Sequence, residues 1–155
     1  MPPLIILFSI LGLLPYVLLG LVALGPHVAS ANHMLSGFIA WSAMVLAFAG
    51  GVHWGFGLRE SNPQSPWQGT RISLSVLALI IGWLALVLPL VAPAWLALLM
   101  LIIGYIGALF AEHRAGRRNM LPPRYLWLRT GFTVIATAML ITVLTLRLLG
   151  QTIVL

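Results

Sequence analysis

The sequence predicts an all-α integral membrane protein with five transmembrane helices, and three observations lead to this fold class. Hydrophobic residues make up 61% of the 155 residues and charged residues 6%, whereas soluble domains carry about a quarter charged residues. The mean hydropathy is +1.09. Five stretches are long enough for membrane helices, which need about 17–25 apolar residues. Together these features indicate a single membrane domain over residues 1–155, with lipid covering most of its surface.

The five predicted helices follow one another with short connections. In chain order they cover residues 4–24, 33–58, 72–88, 93–111 and 125–149. The connection from Pro89 to Pro93 is so short that helices three and four are expected to form a tight antiparallel hairpin. The N-terminus lacks the basic residues and the cleavage motif of a signal peptide, so helix one is expected to be retained.

Arginine placement predicts the orientation of the helices. The connections after helices two and four hold most of the arginines, and the other two connections hold none. Because positively charged residues stay on the cytoplasmic side, the N-terminus is expected in the cytoplasm and the C-terminus in the periplasm of a bacterial inner membrane. Membrane topology therefore explains most of the eight arginines, which with the two glutamates give the net charge of +6, without a nucleic-acid partner. The arginines of the two connections are Arg59, Arg71, Arg114, Arg117, Arg118 and Arg124.

The reactive residues of the chain are few. Cysteine is absent, which excludes disulfides, thiolate catalysis and cysteine-bound metals. Aspartate is also absent, and the acids are Glu60 and Glu112. No complete catalytic set and no metal-ligand set emerges, so we expect a protein that is not an enzyme and that holds no metal.

Small residues recur at four-residue spacing on two of the predicted helices, which places each set on one helix face. In lipid, small residues let helix backbones approach closely, and packing drives their association. Each set is therefore expected to form a groove for a neighbouring helix. The sets are Ala43, Ala47, Gly51 and Gly55 on helix two, and Gly104 and Ala108 on helix four.

His53 lies in the last turn of helix two, about 200° around the helix from Gly51, and so outside the predicted groove. One interpretation is an interfacial histidine whose ring lies near the lipid headgroups, beside Trp54 as an aromatic-belt residue. The alternative is a ligand or proton carrier at the membrane face, since polar residues at membrane depth are often functional. The sequence leaves both open.

Glu112 continues the small-residue face of helix four, so it is expected to point toward another helix. Arg129 lies a little over one turn into helix five, at the same depth. One hypothesis pairs these two charges, because a carboxylate in a poorly hydrated site needs a partner; the alternative is a solvated Glu112 that balances nearby arginines. With His53, Trp54 and Tyr125, they form a candidate polar site at the cytoplasmic rim.

Transport and haem binding have weaker support. Thr130, Thr133 and Thr137 share one side of helix five, but such threonines more often bond their own helix or a neighbour. A haem needs two facing histidines; His53 shares one side of the membrane with His113, which is expected to lie in a loop. No cofactor is therefore expected, although a bound quinone or lipid headgroup near His53, Trp54 and Arg129 remains open.

Two motifs, FAGGVHWGFGL and LPPRYLWLRTGFT, resemble those of the transmembrane protein 69-like family, also called domain of unknown function 3429. The resemblance implies a small multi-helix membrane protein, found in proteobacteria and in mitochondria, with no known activity. Arg124 stands where the family pattern has tryptophan, Glu112 where it has aspartate, and Phe132 where it has leucine. The positions that match the pattern are Gly50, Gly51, Trp54, Gly55, Pro123, Tyr125, Leu128, Arg129 and Thr133.

The function that these observations favour is a non-enzymatic accessory, assembly or structural subunit that acts through helix packing. Its expected partners are the lipid bilayer and either other membrane subunits or further copies of itself. A small oligomeric transporter or channel subunit is the alternative, and a quinone-, lipid- or haem-binding membrane protein is a more remote one. The sequence names no substrate, ligand or oligomeric state.

Overall fold

The computed structural model describes residues 3–23, 28–58, 66–117, 121 and 123–153, and within these residues it contains helices and no strands. A 3₁₀ turn at Leu88–Leu90 joins the third and fourth helices. Arg59, Glu60, Arg118 and Leu155, which the orientation argument or the acid count used, lie outside the described residues. The helices are α1 Pro3–Ala23, α2 Val28–Leu58, α3 Pro66–Val87, α4 Ala94–Gly116 and α5 Pro123–Ile153.

The five helices form a closed ring in which each helix packs on the next along the chain and α5 returns to pack on α1. α2 and α4 also touch across the ring. Short connections make consecutive helices antiparallel, so the C-terminal ends of α2 and α4 lie beside the N-terminal end of α5. The largest side chains of the core come from four helices: Tyr16, Phe38, Leu46, Leu98, Leu101, Tyr105 and Leu140.

The turn between α3 and α4 is as tight as the sequence predicts. The amide of Val91 donates to the carbonyl oxygen of Leu88 at 3.1 Å, and the amide of Ala92 donates to the same oxygen at 2.8 Å. α4 then begins after Pro93, whose carbonyl accepts from the amide of Leu96 at 3.0 Å. Proline suits this position because N–H groups at the start of a helix have no acceptor within the helix, so no hydrogen bond is lost.

The outer surface of the bundle is apolar, as a bilayer requires. Large side chains point outward, including Phe48 at 75% exposed and Trp127 at 81% exposed. α2, α3, α4 and α5 each contain a stretch long and apolar enough to cross a membrane, and α1 contains a shorter apolar stretch, Ile10–Val22. The protein is therefore a multi-pass, all-α membrane protein.

Several helices extend past their apolar segments. α3 begins at Pro66 rather than near Ile72, and α4 continues to Gly116 rather than ending near Ala111. His113 consequently belongs to α4, and its assignment to a loop is wrong. The length criterion marks only the part of a helix that matches the hydrocarbon core, whereas backbone hydrogen bonding continues into the polar region beyond it.

α2 packs on α3 through a different set of small residues from the predicted one. A Cβ atom added at Gly50 would lie 2.7 Å from the Ser75 carbonyl oxygen, and one added at Gly82 would lie 2.8 Å from the Ala43 carbonyl oxygen. Backbones therefore approach closely at both positions. A Cβ atom at Gly51 or Gly55 would meet nothing within 4 Å.

The predicted groove on α2 is therefore wrong at Gly51 and Gly55, which are exposed on the outside of the chain. Ala43 is buried, while Ala47 is partly buried. On α4 the expectation agrees with the structure. A Cβ atom at Gly104 would lie 2.8 Å from Leu46 and 3.0 Å from Ile81, and Ala108 is partly buried against the core.

Candidate functional site: a buried polar cluster at one end of the bundle

Three polar side chains meet where α2 and α4 end and α5 begins. They are His53 from the last turns of α2, Glu112 from α4 and Arg129 from the second turn of α5. We call them the polar cluster. All three are predicted members of the candidate site, and the ring of helices brings them together because it places these three helix ends side by side.

Glu112 is the centre of the polar cluster and is fully buried, with 0% exposure. The Nε of Arg129 donates to both carboxylate oxygens, at 3.0 Å to Oε1 and 3.2 Å to Oε2. The Arg129 side chain is 10% exposed. The predicted contact between these two charges is thus present in the structure, and Glu112 is not solvated.

His53 is buried at 6% exposure, and its Nε2 lies 3.4 Å from Oε1 of Glu112. His53 therefore faces Glu112 inside the bundle, and its ring is not on the outer surface. It lies on the buried face of α2 because it is three residues from Gly50 and four from Gly57, and these three positions share one side of the helix.

The other two candidate rim residues are not part of the polar cluster. Trp54 is 45% exposed and points outward, since it is about 100° around α2 from His53. Tyr125 is partly buried, and its ring packs edge-to-face on Phe56, with ring centroids 6.1 Å apart. These aromatic residues therefore border the site without contributing charge to it.

A second buried polar group, which sequence analysis missed, lies deeper in the bundle. The hydroxyls of Tyr16 and Tyr105 share a hydrogen bond, and the Tyr105 hydroxyl donates to the Ser42 carbonyl oxygen at 2.9 Å. Both tyrosines are fully buried. The sequence does contain an indication of these bonds, because a tyrosine in the middle of a membrane helix needs a hydrogen-bond partner for its hydroxyl. These bonds join α1, α2 and α4.

The threonines of α5 follow two patterns. The Thr130 hydroxyl donates to the Leu126 carbonyl oxygen at 2.7 Å, within its own helix, as sequence analysis considered most common. The hydroxyls of Thr133 and Thr137 are buried and have no hydrogen-bond partner among the described residues. Thr133 lies one turn beyond Arg129, so the inward face of α5 continues to be polar past the cluster.

A cleft of about 510 Å³ separates α2 from α5 beside the polar cluster. Its walls are apolar side chains with four aromatic rings, and Arg129 is the charged residue among its described lining residues. The Nε1 of Trp41 donates to the Gly12 carbonyl oxygen at 3.1 Å and so fixes α1 at the cleft. The lining residues are Gly12, Trp41, Met44, Val45, Phe48, Ala49, Val52, Tyr125, Leu128, Arg129 and Phe132.

The guanidinium of Arg129 is only partly satisfied by Glu112. Its Nη2 is buried and has no acceptor among the residues that the structure describes. An unsatisfied buried donor costs about 1–3 kcal/mol. The polar cluster therefore retains one unused donor, on a residue that also forms part of the cleft wall.

The described part of the chain contains no group of three histidine or acidic side chains that lie close enough together to hold a metal ion. His113 is exposed, and its Nδ1 lies 3.1 Å from the Leu109 carbonyl oxygen of its own helix. His53, by contrast, is buried against Glu112.

An apolar ring of helices around a buried charge cluster defines a polytopic α-helical membrane protein. The chain belongs to the family described as protein of unknown function (DUF3429), whose family model matches residues 1–145. It is also similar to a protein named transmembrane protein 69 from Xenopus tropicalis, with 37% identity over 62 residues. That alignment covers 39% of this chain and 21% of the relative. No solved structure matches the chain.

Proposed function

We propose that this protein is a non-enzymatic accessory, assembly or structural subunit that acts in the bacterial inner membrane through helix packing. The observation that carries the proposal is the full engagement of Glu112, whose two carboxylate oxygens are held by Arg129 and approached by His53. A catalytic acid or base must reach its substrate. This carboxylate instead joins three helices.

The small amount of chain between the described helices supports the same role. The described helices are joined by short connections, and many large apolar side chains are exposed on their outer surface. Such a chain offers partners its lipid-facing helix surfaces rather than an extramembrane domain. Other membrane-protein subunits or further copies of this chain are accordingly the partners we propose, without nucleic acid, and a bound lipid or quinone is compatible with this role.

We further propose five membrane spans, with the N-terminus in the cytoplasm and the C-terminus in the periplasm. α1 has 21 residues, a length of about 32 Å that suffices for the hydrocarbon core. Arg71, Arg114 and Arg124 lie at the end of the bundle that contains the polar cluster. Arg147 lies at the other end, where it donates to Asn32 at 3.1 Å. The arginine excess supports a cytoplasmic location for the cluster end.

Purification in a mild detergent tests the subunit role. The tagged protein is expressed at its natural level, and its mass and co-purifying proteins are measured by native mass spectrometry. We expect a complex with another membrane protein or with further copies in fixed stoichiometry. A membrane protein of similar size with the same tag is the control for nonspecific association. A monomer without a stoichiometric partner would contradict the proposal.

A further inference from the structure

The cleft between α2 and α5 combines features that a ligand site requires and that helix packing leaves unexplained. Its volume of about 510 Å³ lies within the roughly 300–1,000 Å³ that is usual for small-molecule sites. Six of its eleven described lining residues come from α2 and four from α5. These two helices hardly pack on each other, so the space between them is wide enough for another molecule.

We propose that this cleft binds a neutral isoprenoid quinone, with the ring beside Arg129 and the tail along the apolar wall. The first argument is the unused donor. Arg129 is nine-tenths buried, it lines the cleft, and its Nη2 has no acceptor among the described residues. Nη2 is itself buried, so a quinone carbonyl oxygen would reach it after a rotation of the guanidinium toward the cleft, and the bond would then recover the cost of leaving this donor unpaired.

The charges of Glu112 and Arg129 favour a ligand with a neutral head group over one with an anionic head group. Glu112 already compensates Arg129, with both carboxylate oxygens within 3.2 Å of Nε. The phosphate of a lipid would bring a second negative charge beside a fully buried carboxylate, and an uncompensated charge in such a site is costly. A carbonyl group accepts the same hydrogen bond without adding charge.

The lining matches the shape of a quinone. Trp41, Phe48, Tyr125 and Phe132 supply four aromatic rings, and aromatic faces pack favourably on a flat ring. Phe48 is 75% exposed and Met44 54% exposed, so the cleft opens sideways on the surface that faces lipid. A ligand dissolved in the bilayer can therefore enter without passing through water.

A titration with decylubiquinone tests the proposal on the full chain in nanodiscs of neutral phospholipid, with tryptophan fluorescence as the readout. Val52→Phe fills the cleft from α2, while Val76→Phe adds the same bulk on the outer face of α3. We expect saturable binding to the wild type, at least about tenfold weaker binding to Val52→Phe, a difference of about 1.4 kcal/mol, and unchanged binding to Val76→Phe.

A second variant tests the donor. Glu112→Gln with Arg129→Gln removes the guanidinium and keeps the site neutral, and we expect it to weaken binding to the same extent as Val52→Phe. Thermal unfolding identifies a variant that no longer folds, and Val52→Phe then decides the question alone. Absence of saturable binding, equal binding by Val52→Phe, or displacement of the quinone by phosphatidylglycerol at equal concentration would each overturn the proposal. The subunit role is tested separately by co-purification.

Discussion

Glu112 shows how one buried charged residue can join three helices of a membrane bundle. Its carboxylate has no exposed surface and depends on Arg129, 17 positions later in the chain. Removing one member of a buried ion pair is expensive because the other remains charged without a partner. The energy of the polar cluster is therefore not the sum of contributions from separate residues.

A double-mutant cycle measures this dependence. Glu112→Gln and Arg129→Gln should each destabilise the protein by about 3–5 kcal/mol, and the double variant should cost less than the sum, because it leaves no unpaired charge. Thermal unfolding in detergent provides the measurement. Arg124→Gln replaces an exposed arginine in the first turn of α5, so it is the control and should have little effect. Strict additivity would show that the contact is energetically unimportant.

At the scale of the element, α2 shows a regular seam. Ala43, Leu46, Gly50, His53 and Gly57 are all buried, and their alternating spacing of three and four residues is that of a helix packed along its length on neighbours. The seam contains small residues where α3 approaches and a polar residue where α4 and α5 approach. Gly51 and Gly55 lie on the opposite, outward side.

Two neighbouring glycines provide a direct test of this seam. In Gly50→Ala the new Cβ would lie 2.7 Å from the Ser75 carbonyl oxygen and 2.9 Å from the Ala78 Cβ, so α2 and α3 must separate, at a cost of about 1–3 kcal/mol. Gly51→Ala meets nothing within 4 Å and should leave stability unchanged or raise it by up to about 1 kcal/mol, because alanine favours helix. Melting temperatures in detergent distinguish the two; a larger loss in Gly51→Ala would refute the seam.

The sequence could predict helices but not which face of α2 is buried. In a soluble helix the polar face marks solvent, whereas here both faces are apolar and small residues occur on each. The four-residue spacing from Ala43 to Gly55 and the seven-residue spacing from Ala43 to Gly57 are equally visible. His53 was the usable signal, since polar side chains in membranes point inward. Taking it as the inward marker selects Gly50 and Gly57.

The polar cluster was more accessible to sequence reasoning than the rest of the site. Glu112 and Arg129 could be paired because few charges exist and because consecutive helices are neighbours. The contact between Tyr16 and Tyr105 joins helices that are not consecutive, so no connection length predicts it. The cleft depends on α2 and α5 remaining apart while α1 and α4 pack on both of them, and that arrangement follows only from the closed ring.

At the scale of the whole molecule, the two ends of the ring differ in charge. The end with the polar cluster contains Arg71, Arg114, Arg124 and Arg129. The other end, which includes the α3–α4 turn, contains Arg147 and the apolar side chain of Val91, which is 82% exposed. This asymmetry is the basis for the proposed orientation, because positively charged segments are retained in the cytoplasm.

Single cysteines report the orientation directly, since the chain has none of its own. Val91→Cys should react with a membrane-impermeant maleimide added to intact bacterial cells, because the α3–α4 turn is expected in the periplasm. Ser65→Cys should react only after the membrane is permeabilised. The reverse pattern would invert the proposed topology, and labelling of both from outside would contradict the span count.

The contact between Glu112 and Arg129 also sets an order of events during synthesis. A ribosome releases α4 before α5, so the acid enters the bilayer boundary while its ion partner is still inside the exit tunnel. Until that partner emerges, the end of α4 is best left near water, since a carboxylate is poorly tolerated in hydrocarbon. We therefore expect α4 to reach its final depth in the membrane only after α5 has been inserted. A chain that ends between the two helices would leave Glu112 without its ion partner at the end of α4, where a membrane protease could recognise it.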